Sequence, residues 1–135
     1  MPIQQSELNR LLEESITDRR KEPEFFRALL EATVYAHVPL NDRSGRIRFI
    51  QFNGPDGELL LPFFTDPGKS EAAGRGNVRN LAINGRLFLE STLGATLILN
   101  PNTHGCKLYP EEVRVLLRTG HVAVLESDNY AERTE

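Results

Sequence analysis

The chain has 135 residues, of which 39% are hydrophobic and 26% charged; this is the globular range and fits a single domain whose core needs no disulfide or metal. The formal net charge is −3, and residues 126–135 alone carry four acids and one arginine, so residues 1–125 are neutral, with 15 basic and 15 acidic groups. A neutral body argues against nucleic acid as a partner, because nucleic-acid binders present a net basic domain or stripe.

Leu8, Leu11, Leu12 and Ile16 recur at helical spacing with polar residues between them, and Ser6 is placed to cap the helix they predict. A second helix starts at Pro23, with Glu22 and Glu24 at its N-terminal end and Phe25, Phe26, Leu29 and Leu30 as its apolar face. Arg19, Arg20 and Lys21 form the one basic cluster and read as cations at a helix C-terminus. From Thr33 the period changes to two, and Val34, Ala36 and Val38 alternate with Tyr35 and His37 in a strand that Pro39 ends. His37 then falls on the solvent or interface side. Turn-forming residues at 41–45 and 53–57 separate two more predicted strands, 46–52 and 58–64, and the three together read as an antiparallel meander. Pro62 within the third strand predicts a sheet edge or a bulge.

Thr65 and Asp66 precede Pro67 as cap and first turn of a short helix running to about Ala73, where Gly74 and Gly76 break it. Residues 77–83 fit strand or loop equally. Asn84 and Gly85 read as a turn, residues 86–93 as a helix closed by Gly94, and residues 95–99 as a short apolar strand in the middle of the sheet. Residues 102–107 read as loop. Pro110 starts a last helix over 111–118 with acids first, arginine last and Gly120 as its stop. Residues 121–125 form a last strand or packed tail, and the acidic segment 126–135 is expected to be disordered. The fold class is therefore α+β: two N-terminal helices, a mostly antiparallel sheet of about four to five strands, and further short helices packed on it. Residues 1–125 make the domain.

Three stretches, Pro23-Glu24-Phe25-Phe26-Arg27-Ala28-Leu29-Leu30, Leu61-Pro62-Phe63-Phe64-Thr65-Asp66, and Arg86-Leu87-Phe88-Leu89-Glu90 with residues 95–101 and Tyr109-Pro110-Glu111-Glu112, resemble in order and spacing the N-terminal domain of the SseB (enhanced serine sensitivity) family. The resemblance covers about residues 5–120 and implies an α+β fold and a bacterial, cytoplasmic protein. It implies no catalytic residues. Longer family members carry a second, C-terminal domain.

The single cysteine, Cys106, rules out an internal disulfide or a zinc cage of thiolates and fits a reducing compartment. The first ten residues are polar, and no stretch approaches the ~20 apolar residues of a membrane span, so a cytoplasmic location without membrane contact is expected. His104 and Cys106 lie two apart and are the elements of an activated thiol, although no acid is placed to orient the imidazole. His37, His104 and His121 have no metal-ligand spacing, and neither a metal nor a cofactor is expected. The glycines at 74 and 76 follow a helix rather than precede one, unlike a phosphate-binding loop. Loops at strand–helix junctions carry function disproportionately, which singles out Thr65, Asp66, Asn100, His104 and Lys107 as the candidate binding site. Ile47 and Phe49 take one face of segment 46–52 while Ile50 and Phe52 take the other, a pattern of a doubly covered strand or an interface. The expected function is a non-catalytic protein-binding or regulatory module with a protein partner or self-association. The alternatives are a small-molecule-binding protein or a small hydrolase using Cys106 and His104.

Overall fold

The computed structural model of the chain describes residues 4–74, 76–101, 103 and 105–120. The predicted strand or tail at 121–125, the acidic segment 126–135, and His104 and His121 lie outside these residues. Helix α1 (Gln5–Thr17) buries Leu8, Leu11 and Leu12. Ile16, expected on that face, is exposed, and Ser15 is buried instead with its hydroxyl donating to the Leu12 carbonyl at 2.7 Å. Gln4, not Ser6, precedes the helix as its cap residue. One 3-10 turn (Arg19–Lys21) leads into α2 (Glu22–Leu29). The basic cluster is thus a linker tied to acids, with Arg20 Nε donating to Asp18 Oδ1 at 3.0 Å and Arg19 and Lys21 beside Glu22 and Glu14.

Six strands follow: β1 (Thr33–Pro39), β2 (Phe52–Asn53), β3 (Leu59–Phe64), β4 (Val78–Asn84), β5 (Thr96–Leu99) and β6 (Cys106–Leu108). They make one sheet in the order β4-β1-β3-β5-β6, with β2 paired to β3. The β3–β5 pairing is parallel and the others are antiparallel. Helices α3 (Pro67–Ala73), α4 (Gly85–Ser91) and α5 (Pro110–Thr119) complete the chain. The ambiguous stretch 77–83 is strand: β4 pairs with β1 over seven residues, from Thr33↔Asn84 to Pro39↔Val78.

Three expectations are corrected. The predicted strand 46–52 is irregular chain that becomes strand only at Phe52–Asn53. The meander is absent, since β1 pairs with β3 directly, through Tyr35↔Phe64 and Ala36↔Phe63. Residues Cys106–Leu108, read as loop, form strand β6 on β5. The first two share a cause. β1 and β3 are paired over two residues and then diverge, and the segment before β2 enters the gap, with Ile50 N–H donating to the His37 carbonyl at 2.9 Å.

Pro62 sits at this divergence. On one side β3 is paired with β2 at residues 59–60 and with β1 at 63–64, and residues 61–62 have no partner in either ladder. Phe63 faces β5, since its carbonyl accepts from Asn100 N–H at 2.9 Å. The backbone groups of residue 62 therefore point the other way, into the gap, where a missing N–H costs no ladder bond. Proline lies inside the middle strand rather than at the expected edge because the sheet opens beside it.

The main core lies between one sheet face and helices α1, α2, α4 and α5. Val34, Ala36, Leu61, Phe63, Leu97, Leu99 and Leu108 point from the sheet into it, against Leu8, Phe25, Leu29, Phe88 and Leu116. Phe88 stacks between Phe63 and Phe49 at ring-centroid distances of 5.0 and 5.2 Å; each buried phenylalanine stabilises by about 1.5–3 kcal/mol. Helix α5 carries Glu111 and Glu112 in its first turn and ends at Gly120 in the left-handed conformation, φ 78°, as its sequence predicts.

Two corners of the fold meet at Gly85. Its N–H donates to the Ala32 carbonyl at 2.7 Å, and Arg86 N–H donates to the Leu30 carbonyl at 3.1 Å. A Cβ at position 85 would stand 1.8 Å from the Leu29 carbonyl oxygen, so only glycine lets the α2–β1 and β4–α4 connections touch. Gly85→Ala is therefore expected to cost about 3 kcal/mol and to lower Tm by roughly 10 °C, measured by thermal unfolding; an unchanged Tm would show that the two corners are not held together this tightly.

Candidate functional site

Of the predicted site residues, the structure joins Thr65 to Asn100 and engages Asp66 and Lys107 elsewhere. Thr65 follows β3, Asn100 follows β5, and the parallel pairing of these strands brings their ends together. Thr65 N–H donates to Asn100 Oδ1 at 3.1 Å, Asn100 Nδ2 donates to Thr65 Oγ1 at 3.1 Å, and Thr65 Oγ1 donates to Asn9 Oδ1 of α1 at 2.7 Å. The Asn100 carbonyl accepts from the N–H groups of Thr103 and Gly105, both at 3.0 Å. Thr65 and Asn100 are 0% and 1% exposed, which makes this a buried brace between two strands, a loop and a helix. Asn100 holds φ at +46°, a region asparagine tolerates better than other side-chain-bearing residues.

Asp66 caps α3, with Oδ1 accepting from Lys69 N–H at 2.8 Å and Oδ2 paired with Lys69 Nζ at 3.1 Å. Burial pushes its carboxyl up, but the Lys69 amide and ammonium and the Gly68 amide outweigh this and hold it below the usual carboxylate range. Lys107 lies on β6 opposite Ile98 and is paired with Glu58, whose hydrogen bond pushes the ammonium up. It takes no part in the Thr65–Asn100 brace. His104 lies outside the described residues.

Cys106 faces the helix side of the sheet, in a cavity of about 220 Å³ between α1, α2 and β5. Burial, reinforced by the nearby Glu22 and Glu112 carboxylates, pushes its thiol up to about 11. Glu22 is itself pushed up, first by burial. Activated thiols sit in electropositive surroundings that lower the pKa; this one sits in the opposite. Among the described residues no three His, Cys, Asp or Glu side chains gather to hold a metal.

A larger cavity, of about 340 Å³, opens on the other face of the sheet. His37, Pro62 and Phe64 line it from the sheet, Ile50 and Phe52 from the segment filling the gap, and Ala73 and Val78 from α3 and the start of β4. Among the described residues its lining side chains are apolar except for His37. That residue is 6% exposed, not on the solvent side as expected, because α3 covers this part of the face. Its Nε2–H donates to the Ser70 carbonyl at 2.8 Å, and its ring lies 5.2 Å from that of Phe64. Ser70 is held in turn by its hydroxyl donating to Asn80 Oδ1 at 2.7 Å. Of this cavity the sequence marked Ile50 and Phe52, as apolar residues on the second face of segment 46–52, and His37, as a solvent-side or interface residue. The signal that would have found the rest is the run Leu60-Pro62-Phe64, apolar on the face opposite Leu61 and Phe63.

Two measurements check these assignments. Asn100→Ala removes both side-chain bonds of the brace and leaves alanine at a positive φ, for an expected loss of about 3 kcal/mol in chemical denaturation; Asn100→Gly, free of the backbone strain, is expected to lose less. Cys106, with its thiolate scarce at neutral pH, is expected to be alkylated by iodoacetamide roughly 100-fold more slowly than a free cysteine; a rate at or above that of free cysteine would restore the nucleophile.

Comparison with known proteins agrees with the resemblance read from the residues. The family described as SseB protein N-terminal domain matches residues 8–115. The chain is 32% identical over 120 residues to Protein SseB of Escherichia coli (strain K12) and, to the same extent, to Protein SseB of Shigella flexneri; each alignment covers 83% of this chain. It covers 46% of each relative, so the chain spans about half the length of the curated proteins it matches. No solved structure matches it significantly. By family match and by relatives alike, the chain belongs to the SseB family through the N-terminal domain.

Proposed function

We propose that the chain is a non-catalytic binding module of a bacterial cytoplasm, which receives an apolar side chain of a partner protein in the cavity above Pro62 and Phe64. The observation that carries this reading is the composition of the cavity: about 340 Å³ lined, among the described residues, by apolar side chains and one titratable group, His37, whose Nε2–H is engaged by a backbone carbonyl. Catalysis needs a nucleophile or base in reach of a second polar group; among the described residues His37 is the one such group in the lining, and its Nε2–H is engaged by the Ser70 carbonyl. A charged metabolite such as a free amino acid needs countercharges that the described lining residues do not supply. An apolar side chain needs only burial.

The surrounding surface supports a protein partner. Leu40, Ile47, Phe52 and Leu59, which are 46%, 61%, 39% and 53% exposed, all belong to residues 40–59, the stretch that includes the cavity wall. Phe52 lines the cavity itself while 39% exposed, and an aromatic side chain open to solvent at an apolar cavity marks an interaction surface. A small apolar ligand is the second reading, favoured by a volume in the range of small-molecule sites.

Replacing Phe52 with the photo-crosslinking residue benzoylphenylalanine tests both. Irradiation in cells is expected to give a discrete protein adduct from position 52 and none from Glu24, an exposed residue of α2. Filling the cavity with Ala73→Trp is expected to suppress the adduct. An adduct of small mass transfers the site to a metabolite. The same adduct pattern from both positions, or no adduct from position 52, overturns the proposal.

A further inference from the structure

The two ends of the sheet differ. β6 is three residues long and carries Lys107 in an ion pair with Glu58, the short, charged form in which natural sheets protect an edge. β4, at the other end, is seven residues long and pairs with β1 alone. Its register with β1 runs residue for residue from 78 to 84 without a bulge. It contains no proline and one charge, Arg79. Backbone polar groups alternate between the two sides of a strand, so about half of those in β4 point away from β1. Among the described residues they meet no hydrogen-bond partner.

We propose that β4 is a self-association edge, on which a second copy of this chain adds its own β4 antiparallel to the first, making one continuous sheet across a two-fold axis at Leu81. What selects a second copy is the match of the strand to itself. With the axis at Leu81, Asn80 lies opposite Ala82, Arg79 opposite Ile83 and Val78 opposite Asn84. The two arginines are then four residues apart along the strands, ~13 Å at about 3.3 Å per residue, beyond the ~8 Å screening length at physiological salt. Centring the pair on Arg79 would set like charges directly opposite. A slip of one residue would turn each strand's core-facing side chains to the wrong side.

The faces match as well. A two-fold axis normal to the sheet keeps both helix layers on one side. Leu81, half-buried against the core, then meets its symmetry mate at the seam and extends the core across it. Arg79, Ala82 and Asn84 are exposed in one copy, so the strand can be approached along its length. The seam shares Val78 with the cavity wall but not Phe52, and the two proposals are read by different observables, so either can fail without the other.

Sedimentation velocity of the 135-residue chain over a wide concentration range tests the proposal, together with Ala82→Lys and Ala82→Val. The native chain is expected to pass from monomer to dimer as concentration rises. The lysine, on an exposed side chain at the centre of the seam, is expected to weaken association at least tenfold, while β-branched valine retains it. Amide hydrogen exchange within residues 78–84 of the native chain is expected to slow with concentration, which decides the matter even if the lysine variant folds poorly. A native chain that stays monomeric throughout overturns the proposal. So does a dimer that survives Ala82→Lys with exchange in residues 78–84 independent of concentration, because its interface would lie elsewhere.

Discussion

The missing N–H of Pro62 is the constraint around which the sheet is organised. In a middle strand with continuous neighbours, proline would leave a buried carbonyl without its ladder donor. Here the ladder on that side passes from β2 to β1 at residues 61 and 62, so the donor that proline lacks is not required. The divergence of β1 from β3 admits the extended chain before β2, whose Ile50 amide returns to β1 at His37. That inserted segment serves both sides of the sheet. Phe49 reaches the core and packs edge-on to Phe88, while Ile50 and Phe52 turn to the opposite face and wall the cavity. One imino acid, the split beside it and the cavity above it are parts of a single arrangement.

The split would leave the sheet weak were its neighbouring corners loose. Asn100 ties the C-terminal ends of β3 and β5, and through Thr65 it reaches α1. Gly85 ties the connection after α2 to the connection before α4. Both braces are polar contacts with burial around them, where a hydrogen bond is worth most and an unmade one costs most. The antiparallel β1–β4 ladder, seven pairs long, forms the stiff half of the sheet on one side of the split. The parallel β3–β5 pair, four long and clipped at its end by Asn100, forms the other.

Much of the fold was legible because it rests on period and punctuation. Leu8, Leu11 and Leu12, or Val113 and Leu116, mark a helix face through spacing alone, and Pro67 and Gly120 mark where helices start and stop. Segment 46–52 was misread because apolar residues on both faces of a run suggest a strand. In fact they show a chain threaded between two layers, and that depends on a divergence 10–15 residues away in sequence. The end of the 102–107 stretch was misread because Asn102 and Gly105 outweighed Cys106 and Lys107, strand residues whose partner is β5. His37 was placed toward solvent by strict alternation with Val34, Ala36 and Val38. Alternation assigns a face correctly and cannot say whether α3 covers it. Thr65 and Asn100 were picked together for sound local reasons, as polar residues at adjacent strand ends. That they bond to each other rather than to a ligand depends on β3 and β5 being parallel neighbours, a long-range fact.

Among the described residues, the polar side chains that the sequence singled out are engaged in holding the fold. Asp66 caps α3 and is paired with Lys69, Lys107 is paired with Glu58, and the His37 ring donates to Ser70. Cys106 is buried beside two carboxylates, so that its thiol, pushed up to about 11, is protonated at neutral pH. A reactive group is normally recognised by a shift that brings its pKa toward the working pH, in a cleft that admits substrate. The Cys106 shift runs away from neutrality. The cavity beside Pro62 and Phe64, meanwhile, is lined, among the described residues, by proline, phenylalanine, isoleucine, valine and alanine around one anchored imidazole. Among the described residues, the polar groups around this cavity are engaged within the fold while apolar ones line it, and burial is the interaction such a lining offers.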